Sequence, residues 1–176
     1  VMAAGPFANI LLAIVAVLLL SFVFSPLQNT MMESTGFTFS DYTDENFPAA
    51  NAGLLPNTLI TGIDGLETTK FQDFAEELYC KNPGDQIIIS SFDGEGNTKD
   101  YSLTLASNPD DEKKSFMGII NIENDFEIKE EYNYGVWKMT YYSLDWINGF
   151  LKWLYVLSLG IGLFNLLPLP IVDGGR

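Results

Sequence analysis

From Gly5 to Phe24 the chain runs for about twenty residues without a charge, the length that crosses the roughly 30 Å hydrocarbon layer of a bilayer as one helix. No other feature restricts the fold as much. A helix apolar on every side must lie in lipid or be buried all round, and the rest of the chain has to be arranged about it. Gly5 and Pro6 mark its start, where proline is tolerated because its missing N–H would be unpaired anyway. Ser25-Pro26 is expected to end it. A secretory signal peptide passes the same length test, but there is no basic segment ahead of the run, which is also long for a signal core. The chain opens on Val1, so an upstream segment is expected.

Leu144 to Leu167 forms a second apolar run, interrupted by Asn148 and Lys152. Lys152 can carry its ammonium back to the headgroups along its aliphatic stem. Between the runs lies most of the charge. The net charge is −14, and nearly all acidic residues fall between Glu33 and Glu131, opposed there by six lysines. Such a segment argues against nucleic acid or anionic lipid as a direct partner. Tyr132 to Tyr142 is rich in aromatic residues, as expected where a chain re-enters a membrane interface. Basic residues near the runs are few: Lys138, Lys152 and Arg176. Arg176 assigns the far end of the second run to the cytoplasmic side, which places the acidic middle outside the cytoplasm. The single Cys80 excludes an internal disulfide and fits a buried thiol on a helix.

The middle segment changes period. Gly36-Phe-Thr-Phe-Ser40 alternates, Leu59 to Ile63 reads as a buried strand, and Asp64-Gly65 is a tight-turn dipeptide. Lys70 to Lys81 has helical spacing, with Phe71, Phe74, Ala75 and Leu78 on one face, and Asn82-Pro83-Gly84 stops it. Gln86 to Phe92 and Tyr101 to Leu105 read as strands of a hairpin joined through Asp93-Gly-Glu-Gly-Asn97. That loop lacks the spaced ligand set of a calcium site. Phe116-Met-Gly-Ile-Ile-Asn-Ile122 is a glycine turn leading into another strand.

After the second run the sequence reads Asn165-Leu-Leu-Pro168-Leu-Pro170-Ile-Val-Asp173-Gly174-Gly175-Arg176. Two prolines keep a regular helix from carrying Asp173. A carboxylate at the end of a membrane span is costly and points to a function, and on irregular backbone it suits a metal ion or an activated water.

The pair of motifs, Ala4-Gly5-Pro6-Phe7-Ala8-Asn9 at the head of one run and Asn165-x-x-Pro168-x-Pro170-x-x-Asp173-Gly174 at the tail of the other, resembles the site-2 protease family of intramembrane zinc metalloproteases. The resemblance covers essentially the whole chain. It implies one zinc ion, held by two histidines of an H-E-x-x-H helix and by Asp173, with a fourth position open for water. It matches Asn165 to an active-site asparagine that orients substrate or stabilises an oxyanion. Asn9 is expected to hydrogen-bond between helices rather than act in catalysis. Gly5, Pro6, Pro168, Pro170 and Gly174 shape the backbone around these groups. The chain has no histidine, so as it stands it cannot assemble that zinc site; the missing helix is expected in sequence upstream of Val1, the alternative being an inactive relative.

The middle segment resembles a PDZ domain in the permuted arrangement of membrane and periplasmic proteases, through Phe47-Pro-Ala-Ala-Asn-Ala-Gly-Leu54, Ile63-Asp-Gly65, the Phe71 to Leu78 helix and Asn82-Pro-Gly84. It departs at Asn57-Thr58, where Gly-Asp is usual. The resemblance implies that Phe116, Met117, Gly118 and Ile119 form a loop binding a peptide C-terminus beside the Lys70 to Cys80 helix. The fold expected is therefore a membrane α-helical protein, two spans visible, with an inserted α+β PDZ-like domain. Residues 1–26 and 143–176 hold the spans, 36–122 the PDZ-like domain and 123–142 an interfacial linker. The function expected is that of a multi-pass cell-membrane metalloendopeptidase cleaving transmembrane segments of other membrane proteins. The alternatives are a membrane-tethered PDZ scaffold without catalysis and a transporter with a broken helix; the latter needs interrupted segments in two halves, and one is visible.

Overall fold

The structure, a computed structural model, describes residues 4–92 and 97–166. In chain order its elements are α1 (Ala4–Leu19), a π-helical turn (Leu20–Phe24), α2 (Ser25–Thr30), β1 (Met32–Tyr42), α3 (Pro48–Asn51), β2 (Leu59–Ile63), β3 (Leu66–Glu67), α4 (Phe71–Tyr79), β4 (Gln86–Phe92), β5 (Thr98–Thr104), β6 (Ala106–Ser107), β7 (Ser115–Phe116), β8 (Ile119–Ile128), a 3₁₀ turn (Glu130–Tyr132) and α5 (Gly135–Leu166). They fall into two compact units, Val1–Glu33 with Ile128–Arg176, and Ser34–Glu127.

The first unit is a pair of helices. Gly5–Thr30 and Gly135–Leu166 are both long and apolar enough to cross a membrane. They are not core helices of a globule, because most of their large apolar side chains face outward: Phe22 is 77% exposed, Trp146 70% and Trp153 68%. The residues buried on them are mostly small or polar, Ala13 and Ala16 on α1 and Asn148, Ser158 and Gly162 on α5, together with Leu144 and Leu151. Ser25-Pro26 does not end the first helix. In the π-helical turn the Ser25 N–H bonds back to the Leu20 carbonyl, and Pro26 then occupies the first turn of α2, where its lack of an N–H breaks no bond. The second helix starts at Gly135, earlier than the apolar run suggests, and β8 extends to Ile128, so strand and helix take up most of 123–142.

The second unit is built on an antiparallel sheet with strand order β5-β4-β2-β1-β8, β3 pairing with β2, beside a two-stranded β6-β7 ribbon. The β4-β5 pairing runs in unbroken register from Gln86↔Thr104 to Phe92↔Thr98, the hairpin expected from the sequence. Its core gathers Phe37, Phe39, Ile60, Ile63, Ile87 and Ile89 from the inner face of the sheet with Phe74 of α4 and Leu54. Phe74 meets Phe37 edge-on, with centroids 4.9 Å apart at 64°. Asn57 stands at φ +63°, a left-handed position that asparagine tolerates among non-glycine residues, which explains how Asn57-Thr58 serves in this turn. Cys80 is exposed at the C-terminal cap of α4 rather than buried, because the apolar face of the helix ends at Leu78.

Candidate functional site

In the second unit a groove runs between α4 and the strand β8. Phe71, Ala75 and Leu78 line one wall, Ile119 and Ile122 the other, and Phe116 and Met117 close one end over a pocket of about 140 Å³. The closing loop is held by its carbonyls. Thr43 N–H donates to Gly118 O at 3.0 Å and Ala49 N–H to Met117 O at 2.9 Å. Gly118 has φ +84°, and a Cβ there would lie 2.2 Å from Phe47 Cβ. Phe47 also stacks edge-on against Phe116, at 5.2 Å and 90°, and so props the loop. The Met117 and Gly118 N–H groups have no acceptor among the described residues. Successive N–H groups at a left-handed glycine form a nest suited to an anion.

Helix α4 is fixed against the strands at three points. Ser115 Oγ donates to Leu78 O at 2.7 Å, and Asn124 Oδ1 accepts from Phe71 N–H at 2.7 Å. Behind its C-terminal end Lys81 Nζ meets Asp64 Oδ2 at 2.6 Å, while Asp64 Oδ1 accepts from Ile88 N–H at 2.8 Å. Desolvation acts to raise the Asp64 carboxyl, but the hydrogen bonds from Lys81 and Ile88 and the charge of Lys81 outweigh it and hold it below the usual carboxylate range. The same hydrogen bond raises Lys81. Ser115 and Asn124 carry no motif, and their roles depend on contacts 37 and 53 residues away in sequence.

In the first unit α1 and α5 run antiparallel. Gly162 packs on Ile10 and the Pro6 carbonyl at one end, and Ser25 Oγ donates to Asn148 Oδ1 at 3.3 Å at the other. Asn9 and Asn165, both half-buried, are thereby brought to the same end of the pair. Asn9 makes no side-chain hydrogen bond among the described residues; the interhelical bonds belong to Asn148, whose Nδ2 also donates to Gln28 Oε1 at 2.6 Å, with Gln28 Nε2 reaching Asp145 Oδ1 at 3.1 Å. In the sequence Asn148 is only an interruption of an apolar run. Its buried position, 7% exposed, gives it a partner and a purpose.

Pro168, Pro170, Asp173 and Gly174 lie outside the described residues. Among the described residues no three of His, Cys, Asp and Glu gather to hold a metal ion, and the chain contains no histidine. These residues alone do not fit a zinc centre.

The whole chain, residues 1–176, matches Peptidase family M50. The chain belongs to this family. The resemblance drawn from the two end motifs is borne out at that level. Similar relatives are the zinc metalloprotease RasP of Shouchella clausii strain KSM-K16, 26% identical over 98% of this M50 chain and 47% of the relative, and a putative zinc metalloprotease, M6_Spy1682, of Streptococcus pyogenes serotype M6, 25% identical over 98% and 48%. The chain thus spans about half the length of the curated relatives it matches. Similar solved structures are the PDZ domain of the SdrC-like protein Lmo2051 of Listeria monocytogenes (24% identity, TM-score 0.42, 48% of this chain and 85% of that one) and that of Lin2157 of Listeria innocua (26%, 0.40, 47% and 90%).

Proposed function

We propose that these residues are part of a multi-pass intramembrane zinc metalloendopeptidase that cleaves transmembrane segments of other membrane proteins. The observation that carries this reading is the helix pair. Two motifs from opposite ends of the sequence come to one end of it, Asn9 on α1 and Asn165 on α5, with Asp173 eight residues further along the chain. M50 membership and relatives named as zinc metalloproteases support the same chemistry. Asp173 is one zinc ligand, and the histidine ligands come from outside this chain, which alone is inactive. Zinc, when bound, lowers the pKa of its water toward neutrality. Asn165 holds the substrate carbonyl with its amide.

The membrane placement follows from lengths. Residues 4–24 and 147–166 are each about 30 Å long at about 1.5 Å per residue, the thickness of the hydrocarbon layer. The Ser25, Gln28, Asp145 and Asn148 cluster then lies where both helices leave the lipid. Lys152 sits about 7 Å inside that boundary, within snorkelling reach. Ser34–Glu127 stands on the non-cytoplasmic side as a PDZ-like domain, its groove taking a peptide C-terminus.

The test is made in the longer protein. Asp173→Asn is expected to abolish cleavage of a membrane-embedded reporter and to lower bound zinc, and Asn165→Ala to lower cleavage with zinc retained. Full cleavage and zinc content in Asp173→Asn would overturn the assignment in favour of a peptide-binding scaffold.

A further inference from the structure

The groove between α4 and β8 ends at the Phe116-Met117-Gly118 loop and is bridged again further along by Asn124. Strand β8 is the edge of the sheet, so an extended ligand has a backbone ladder to join. That ladder is short. Ile119 and Ile122 both line the groove although residues three apart in a regular strand face opposite ways. Asn121, at φ +55°, is the irregularity that resets the alternation, and such a break ends regular pairing. Three residues on, the Asn124 side chain spans the gap. It accepts from Phe71 N–H at 2.7 Å and reaches Gln72 Oε1 at 3.4 Å. Phe71 N–H belongs to the first turn of α4, where an N–H has no partner in the helix itself, so Asn124 caps α4 from across the groove. The pocket left between, about 140 Å³, resembles apolar cavities of about 150 Å³ that hold one benzene-sized group.

We propose that this groove reads only the last two residues of its ligand, with Asn124 as the specificity-determining residue that shuts out a longer strand. The ligand class is any polypeptide with a free C-terminus on an apolar residue. Its carboxylate sits on the Met117 and Gly118 N–H groups, its last side chain fills the pocket, and its backbone pairs along Ile119 and Ile120. Residues further from the terminus go unread, so acceptance is broad in sequence and strict in the chemistry of the end. This rests on the groove being a C-terminus site.

The experiment uses the 176-residue chain in detergent micelles and glycine-serine peptides of two, four and eight residues ending in leucine, with an amidated eight-residue control. Four- and eight-residue peptides are expected to bind with Kd values within about twofold of each other, and amidation to weaken binding by about tenfold or more. In Asn124→Ala the eight-residue peptide is expected to bind about fivefold tighter than the four-residue one. Asn124→Asp keeps an acceptor for Phe71 N–H and is expected to behave as the wild type. A wild-type affinity rising tenfold from four to eight residues overturns the length limit while leaving the C-terminus site standing. Equal binding of the amidated peptide overturns the site itself. An Asn124→Ala protein without length dependence overturns the role given to Asn124, and if that variant fails to fold, the wild-type series still decides.

Discussion

Gly162 of α5 lies against Ile10 of α1 with room for a hydrogen and little more: a methyl carbon at Gly162 would fall 2.9 Å from Ile10 Cγ1 and 3.3 Å from the Pro6 carbonyl oxygen. Small residues at such a contact let helix backbones approach closely. The Gly5-Pro6 end of α1 is therefore held by the absence of a side chain on α5.

Gly162→Leu is expected to push the helices apart at a cost of about 1–3 kcal/mol and to reduce reporter cleavage by the longer protein more than tenfold. Gly149→Ala, at a glycine where an added Cβ would have nothing within 4 Å, is expected to leave cleavage unchanged. Equal effects of the two would mean that helix propensity, not contact, sets the outcome.

Asn148→Leu removes the bonds to Ser25 and Gln28 and is expected to destabilise the helix pair in detergent. Interhelical polar contacts of this kind are worth about 0.6 kcal/mol each, up to about 1.7. A double-mutant cycle with Ser25→Ala, read by thermal unfolding, isolates one bond. Strict additivity would show that bond to be energetically silent.

Gly118→Ala meets two obstacles, a left-handed φ and the side chain of Phe47. Backbone strain of this kind costs about 1–3 kcal/mol. The expected result is loss of C-terminal peptide binding, with a shift in which substrates are cleaved larger than the fall in rate on the best one. Adding Phe47→Gly, which removes the Cβ as well as the ring, relieves the clash but not the φ, so measured against Phe47→Gly alone it should restore stability only in part. Complete restoration would assign the whole cost to packing.

Acid should loosen the α4 end held by Asp64 and Lys81. The Asp64 carboxyl is lowered in the fold, so its contribution is complete above its unfolded value of about 3.9 and is lost as pH falls through the lower folded one. Lys81 is raised, so its contribution is complete below about 10.4 and is lost only as pH rises through the folded value. Asp64→Asn keeps an acceptor for Ile88 N–H and tolerates φ +51°. Its unfolding midpoint should lie below the wild type's at pH 7 and converge with it as pH falls through the lowered Asp64 value; a gap that persists after that carboxyl is protonated would rule the ion pair out as the cause.

Local signals carried much of the fold. The strands Leu59–Ile63 and Gln86–Phe92 fall where β-rich runs between turn residues place them, and α4, Phe71–Tyr79, follows its apolar spacing and ends ahead of Asn82-Pro83-Gly84. Pro26 misled because its effect depends on the π-helical turn before it, which composition does not reveal. Asn148, Ser115 and Asn124 were opaque for a different reason: a lone polar side chain acquires its role from a partner far along the chain. The Met117-Gly118 loop was legible through its glycine, whereas Phe47, which props it, was not.

The π-helical turn at Leu20–Phe24 has the signature of a single inserted residue. An α-helix phased on Ala13 and Ala16 would next present Phe24 and Leu27 to its neighbour; one extra residue advances the face by about 100° and presents Ser25 and Gln28 instead. The insertion thus acts as a phase adjuster, joining an apolar stripe to a polar one on the same side of one rod. Rewinding the turn into a regular α-helix of the same residues would leave the hydrophobicity of the helix untouched and still turn Leu27 toward Asn148, whereas deleting one residue of the turn would keep Ser25 and Gln28 in place.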